Sequence, residues 1–195
     1  MIRVLREPVE RAFSWYRHGY EVCRRHHKFM KRFTNDTLQT WGCNIHSLSN
    51  SHYDDTFHDY LVENRIPIED NFYAEQIQRW LQVIQRKQLL IISMQSLLRK
   101  TSVTMRCISS FLGIDPSSFP TSIESLPHAN KVRAKVDRTG KKHTLGCSDC
   151  MALQRRFEAE NSKLYRLMED RRLARPACEE DFPHFENDAC NTCIQ

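Results

Sequence analysis

The 195-residue sequence predicts an α/β fold that is rich in helix, with a parallel sheet flanked by helices. Two short apolar runs of strand length, at residues 2–5 and 88–93, are separated by segments whose apolar residues recur at helical spacing. The second run, QLLIIS, is continuously apolar, which suits a strand covered on both faces, as in a parallel sheet. Because two strands are too few for such a sheet, we expect its N-terminal strands to lie upstream of Met1.

The first strand leads directly into a helix. Pro8 is tolerated at the first helical position, where its missing N–H is not needed. The residues that follow form one apolar stripe at helical spacing, namely Val9, Ala12, Phe13, Tyr16 and Tyr20. This stripe predicts a helix that runs from Pro8 to about Arg25.

Spacing and turn residues predict the remaining elements. Polar residues around Gly42 indicate a loop, and Pro67 indicates an extended connection. Gly113 is predicted to end a helix, and Cys107 on the apolar face of that helix is predicted to be a buried core thiol. Apolar residues in a later stripe, Trp80 among them, are predicted to lie in the core. The predicted order is a loop at 34–51, a short helix at 54–63, a connection at 65–70, a helix at 71–86, the strand at 88–93, a helix at 101–112, loops at 117–127 and 130–142, and a long helix at 148–172.

Composition and charge limit the classes of protein. Apolar residues make up 40% of the chain, enough to build a core. The net charge of +5 favours an anionic partner such as a nucleotide, an acidic polysaccharide or nucleic acid. No apolar run reaches the roughly 18 residues of a membrane span, and Arg3 and Arg6 interrupt any signal-peptide pattern.

The chain has 8 cysteines, and this even number permits disulfides and an oxidising compartment. Cys147 with Cys150, and Cys190 with Cys193, form two C-x-x-C pairs whose thiolates could close a tetrahedral zinc site. The gap between the pairs is long for a zinc ribbon and holds a predicted helix. Disulfides or free thiols are therefore favoured over zinc, and we predict no metal site.

The turn between the first strand and the first helix carries the strongest functional pattern. A sharp strand-to-helix turn directs backbone N–H groups and the positive helix end at one spot, which suits a phosphate. Arg6 at the strand exit adds a permanently charged fork, and Ser14 adds a hydroxyl two turns into the helix.

Arg6, Pro8, Arg11 and Ser14 have the spacing R-x-P-x-x-R-x-x-S. This pattern resembles the 3′-phosphate-binding segment of the sulfotransferases that use 3′-phosphoadenosine 5′-phosphosulfate (PAPS). The later order of a helix containing Trp80, the QLLIIS strand and a helix ending in FLG is similar to the C-terminal half of the same domain. The variant that acts on heparan-type glycans is the most similar. The resemblance implies that Arg6 and Ser14 bind the 3′-phosphate of PAPS as co-substrate.

The resemblance also implies a fold and an activity. The fold is P-loop-NTPase-like, with residues 1–172 forming the C-terminal portion of a sulfotransferase domain and residues 173–195 an acidic, cysteine-containing tail. The activity is transfer of a sulfuryl group from PAPS to a hydroxyl or amine of a carbohydrate acceptor, which includes anionic polysaccharides and excludes nucleic acid. Family members that sulfate glycans reside in the Golgi lumen, so the resemblance implies that compartment or the secretory pathway.

One part of the family pattern is absent. The family grips the 5′-phosphosulfate with a loop containing Gly and Lys after its first strand, and its catalytic base also comes from upstream of the strand at residues 2–5. No G-x-x-x-x-G-K-[ST] pattern occurs in the 195 residues. If Met1 is the true start, half of the cofactor site is missing. We therefore expect a fragment or a divergent homologue and identify no catalytic residue.

The basic segment at residues 130–142, whose only acid is Asp137, is a second candidate for nucleotide binding. The family has a basic, Gly-bearing loop that closes over the 3′-phosphate, and Arg138, Gly140 and Lys141 match it best. A solvated basic loop, or a docking site for an acidic polysaccharide, remains an alternative interpretation.

A second class of function also fits the sequence. In this alternative the chain is a non-enzymatic module, stapled by zinc or by disulfides, whose basic loop binds anionic glycans or nucleic acid. The arrangement of strand, Arg6, Pro8, helix and Ser14 favours the enzyme.

Overall fold

The computed structural model describes residues 1–29, 34–43, 56–115, 117, 145–169, 182, 184–185 and 190. The helices, numbered along the chain, are α1 (Pro8–Phe29), α2 (Asn35–Thr40), α3 (Phe57–Val62), α4 (Tyr73–Val83), α5 (Met94–Arg99), α6 (Thr101–Leu112) and α7 (Cys147–Glu169). The chain divides into two compact units. The first comprises Met1–Glu7, Phe72–Lys131 and Arg156–Asn187, and the second comprises Pro8–Asn71, Val132–Arg155 and Asp188–Gln195.

The first unit is built on two parallel strands, β1 (Ile2–Leu5) and β2 (Leu90–Ser93). In their register Ile2 lies opposite Leu90 and Leu5 lies opposite Ser93. Both strands and their parallel pairing confirm the α/β prediction. The second strand starts two residues later than predicted because residues 86–88 form a 3₁₀ turn, in which the side chain of Gln88 accepts from the N–H of Gln85.

One buried cluster joins β1 to the helices of the first unit. We call it the Leu5 cluster, and its buried members are Leu5, Tyr73, Ala74, Ile77, Leu89 and Leu164. Residues at i and i+4 along α4 face this cluster, and Leu81 continues the row. Trp80 is instead 44% exposed, so the prediction that it lies in the core is wrong. One helical position, about 100°, separates it from Leu81 and turns it away from the cluster.

The second unit packs α1 against α3 through aromatic rings. Tyr16 and Tyr60 are fully buried, with ring centroids 4.9 Å apart, and the ring of Phe57 lies 5.3 Å from that of Tyr16. A disulfide between Cys23 and Cys43 ties α1 to the turn after α2. These contacts confirm the predicted apolar stripe of α1, which is four residues longer than predicted.

Two predictions about irregular segments are wrong. The predicted loop at residues 34–51 contains α2, which forms because the hydroxyl of Thr34 accepts from the N–H of Thr37 and caps the helix. The predicted extended connection at 65–70 is replaced in part by a 3₁₀ turn at Ile68–Asn71. Pro67 precedes this turn and permits it, since proline disfavours helical geometry at the residue before it but is tolerated at the start of a helical turn.

The cysteines are joined by disulfides. Cys150 in α7 is bonded to Cys190, so this disulfide takes one cysteine from each C-x-x-C pair. Cys107 and Cys147 each take part in a disulfide as well, which corrects the prediction of a core thiol at Cys107. Cys107 is nonetheless buried against Leu90 and Ile92, as the apolar face of α6 predicts.

The described part of the chain lacks a membrane span and a metal-binding cluster. Within the described ranges, no helix is both long and apolar enough to cross a bilayer. The same ranges contain no group of three or more His, Cys, Asp or Glu side chains arranged to hold a metal ion.

Candidate functional site

The C-terminal end of β1 is anchored by the Leu5 cluster. Leu5 is 1% exposed and anchors the last residue of the strand. Arg6 follows, half-buried, and its backbone carbonyl accepts a hydrogen bond of 2.9 Å from the hydroxyl of Tyr73 in α4. Glu7 is buried as well. The strand therefore leaves the sheet in a defined direction, with the Arg6 peptide held by a buried tyrosine.

The beginning of α1 is anchored in the second unit. The guanidinium of Arg11 donates to the carbonyl of Asp70 at 2.7 Å and to the side-chain oxygen of Asn71 at 2.8 Å. Asn71 is buried and donates in turn to the carbonyl of Ile68. The second arginine of the R-x-P-x-x-R-x-x-S pattern thus joins α1 to the 3₁₀ turn at Ile68–Asn71, a structural role that the sequence did not predict.

The predicted ligands fall into three groups. Arg6 belongs to the first unit and Ser14, half-buried on α1, to the second. Arg138, Gly140 and Lys141 lie outside the described residues.

A histidine–aspartate pair lies elsewhere in the second unit. The Nδ1 atom of His58 in α3 lies 2.8 Å from a carboxylate oxygen of Asp149 in the first turn of α7. The His58 side chain is 64% exposed and that of Asp149 is 12% exposed. The hydrogen bond and the negative charge of Asp149 raise the pKa of His58 above its ordinary value. Because the two residues are 91 positions apart, the sequence carried no signal for this pair.

A family comparison decides what kind of domain carries these features. The model of the sulfotransferase domain family matches residues 1–150. This chain belongs to the sulfotransferase domain family. The resemblance carried by Arg6, Pro8, Arg11 and Ser14 is thereby confirmed at the level of the family, as is the α/β fold.

One curated relative extends the comparison. The chain is 28% identical over 116 residues to the bifunctional heparan sulfate N-deacetylase/N-sulfotransferase 2 of Bos taurus. The aligned region covers 60% of this chain and 12% of the relative, so the chain corresponds to a small part of that protein.

The family match locates the predicted ligands within the sulfotransferase domain. It includes β1, Arg6 and Ser14, and it ends at residue 150, close to the start of α7. Most of α7 and the described residues Phe182, His184, Phe185 and Cys190 lie beyond it.

A sulfotransferase domain implies a sulfonate donor, and the residues around Arg6 suit an anionic one. Arg6 is only partly buried, and its main chain is held by Tyr73. A guanidinium forms paired, charge-assisted hydrogen bonds with a phosphate, so Arg6 has the chemistry that an anionic donor requires.

Proposed function

We propose that this sulfotransferase domain binds PAPS and transfers its sulfuryl group to a hydroxyl or amine of a carbohydrate acceptor. The observation that carries the proposal is the R-x-P-x-x-R-x-x-S pattern, which starts at the exit of β1 within the region matched by the family. Membership of the sulfotransferase domain family supports the transferase activity, and we propose that its sulfonate donor is PAPS.

In this proposal Arg6 and Ser14 bind the 3′-phosphate of the nucleotide. Arg6 supplies a planar pair of N–H donors that can bind two phosphate oxygens, and Ser14 supplies a single hydroxyl donor. Arg138, Gly140 and Lys141 would close over the same phosphate. Because the 3′-phosphate is remote from sulfur, these residues act by orienting the donor for in-line attack by the acceptor.

The proposal assigns this chain one end of the donor only. No phosphate loop with Gly and Lys occurs in the 195 residues, so no residue is assigned to the 5′-phosphosulfate and none to general base catalysis. The transferred group carries its charge at that other end, where neutralisation matters most for the reaction.

The acceptor and the compartment are proposed on two grounds. The relative named above is a heparan sulfate enzyme, which favours a glycan acceptor. The disulfides Cys23–Cys43 and Cys150–Cys190 favour an oxidising compartment, for which we propose the Golgi lumen or the secretory pathway.

Calorimetry with adenosine 3′,5′-bisphosphate tests the proposal. We expect the chain to bind this nucleotide and the Arg6→Ala variant to bind it more weakly by a few kcal/mol, about the value of a lost charge-assisted contact. Arg3→Ala is the matched control, since Arg3 is an exposed arginine in β1, the strand that precedes Arg6, and donates to Gln76. Equal losses in the two variants, or no binding by the unaltered chain, would refute the assignment.

A further inference from the structure

Two described residues beyond the family match pack against the core that holds Arg6. Phe182 and Phe185 are partly buried against the Leu5 cluster, which contains Tyr73 and Leu164. Phe185 and Tyr73 have ring centroids 6.2 Å apart. Phe182 and Phe185 of the predicted tail therefore add to the core of the first unit, which the sequence did not predict.

Tyr165 of α7 holds His184 and Phe185 in place. The backbone N–H of Phe185 donates to the hydroxyl of Tyr165 at 2.8 Å. The ring of His184 stacks on that of Tyr165 with centroids 4.0 Å apart and planes 9° from parallel. One hydrogen bond and one stacked pair thus fix Phe185 beside Tyr73 from a second helix.

These contacts form a continuous chain that ends at the candidate ligand. It runs from His184 and Tyr165 to Phe185, from Phe185 to the ring of Tyr73, and from the Tyr73 hydroxyl to the carbonyl of Arg6. Every member lies in the first unit. Tyr73 is 3% exposed, so its hydroxyl has little access to water as an alternative partner.

We propose that Tyr73 is a positioning residue for the 3′-phosphate site, and that Phe185 acts on the site by confining the Tyr73 ring. The Tyr73 hydroxyl fixes the Arg6 peptide and hence the direction in which the guanidinium leaves the main chain. This inference rests on the proposed function, because it takes Arg6 to be the 3′-phosphate ligand. Neither Tyr73 nor Phe185 would touch the nucleotide.

The test measures selectivity and not affinity alone. The ratio of dissociation constants for adenosine 5′-phosphate and adenosine 3′,5′-bisphosphate reports the 3′-phosphate contact, and it does not depend on the fraction of protein that is folded. We expect Tyr73→Phe to lower this ratio by about tenfold, the scale of one lost buried hydrogen bond. Phe185→Leu should lower it by about threefold, because the Tyr73 ring is less confined.

A double variant tests the order of action. If Phe185 acts through Tyr73, the Tyr73→Phe/Phe185→Leu protein lowers the ratio by less than the product of the two single effects. Tyr60→Phe is the matched control, since it removes another buried tyrosine hydroxyl, in the second unit. That control should leave the ratio unchanged.

The outcomes separate this inference from the proposed function. If the unaltered chain does not prefer the bisphosphate, or if Arg6→Ala keeps the preference, the proposed function fails and this inference with it. If Arg6→Ala loses the preference but Tyr73→Phe keeps it, the function stands and the positioning role is overturned. Should Tyr73→Phe not fold, Tyr165→Phe removes the acceptor of the Phe185 N–H and must lower the ratio in the same direction.

Discussion

The imidazole of His58 and the carboxylate of Asp149 form a hydrogen bond of 2.8 Å that joins α3 to the first turn of α7. A carboxylate is favoured in the first turn of a helix because the free N–H groups and the helix dipole stabilise negative charge there. Asp149 is also next to Cys150, whose disulfide to Cys190 holds the same turn. The start of α7 is therefore held by covalent as well as ionisable contacts.

The ionisable contact predicts how stability depends on pH. Asp149 raises the pKa of His58 in the folded protein above the unfolded value of 6.5, first by its hydrogen bond and then by its charge. The stabilisation is fully present below pH 6.5 and is lost as pH rises through the higher folded value. We expect the thermal midpoint of the chain to fall across that window. Circular dichroism melts at stepped pH measure the decline.

Asp149→Asn is the variant that isolates this effect. It keeps the size of the side chain and removes the charge, so it should flatten the decline and return the NMR titration of His58 toward its ordinary pKa. An unchanged His58 titration in Asp149→Asn would contradict the pairing.

The disulfides predict a large covalent contribution to stability. The Cys150–Cys190 bond closes a span of 40 residues, and Cys23–Cys43 closes a span of 20 residues. Loop-closure entropy assigns about 3 to 4 kcal/mol to bonds over spans of this length. We expect Cys150→Ala/Cys190→Ala to lower the free energy of unfolding by that amount in denaturant titrations. Cys23→Ala/Cys43→Ala should lower the free energy of unfolding slightly less, because the span that this disulfide closes is shorter.

A close approach at Gly19 predicts a steric effect in the second unit. A Cβ atom at Gly19 would lie 2.5 Å from the carbonyl oxygen of Trp41, a backbone atom that cannot move aside freely. Gly19→Ala should therefore destabilise the chain by about 1 to 3 kcal/mol, as overpacking does. Gly146→Ala is the control, because its Cβ would meet no atom closer than 3.5 Å. Equal unfolding free energies for the two variants would contradict the packing of α1 against the turn at Trp41.

The Leu5 cluster predicts the cost of a core cavity. Leu164 is 0% exposed and packs against Leu5, whereas Leu98 in α5 is 52% exposed. Leu164→Ala should cost about 2 to 5 kcal/mol of unfolding free energy, and Leu98→Ala about 0.5 kcal/mol or less. Chemical denaturation of both variants gives the comparison. A loss at Leu164 no larger than that at Leu98 would show that residues beyond the family match are not part of this core.

Local patterns predicted most of the fold. The apolar stripes of α1, α4 and α7 and the continuous run of β2 are set by near neighbours, so spacing alone located them. The prediction failed where a single side chain decides the outcome. The Thr34 cap creates α2 within a polar segment, and the Ser93 hydroxyl caps the unpredicted α5 by accepting from the N–H of Ser96.

The candidate site shows a similar limit. The sequence predicted that Arg6 and Ser14 follow a strand, because their spacing is a local pattern. Contacts between residues far apart in the sequence could not be predicted. Nothing local indicated that the hydroxyl of Tyr73 would reach the Arg6 carbonyl, or that Phe185 would pack beside Tyr73.

Phosphorus NMR of adenosine 3′,5′-bisphosphate is the most direct test of the 3′-phosphate assignment. Its two phosphates give separate resonances, so each can be followed as the chain is added. We expect the 3′-phosphate resonance to shift in the presence of the unaltered chain and of Arg3→Ala, and to lose most of that shift with Arg6→Ala. A 3′-phosphate resonance that does not move, or that moves equally with Arg6→Ala, would contradict the account.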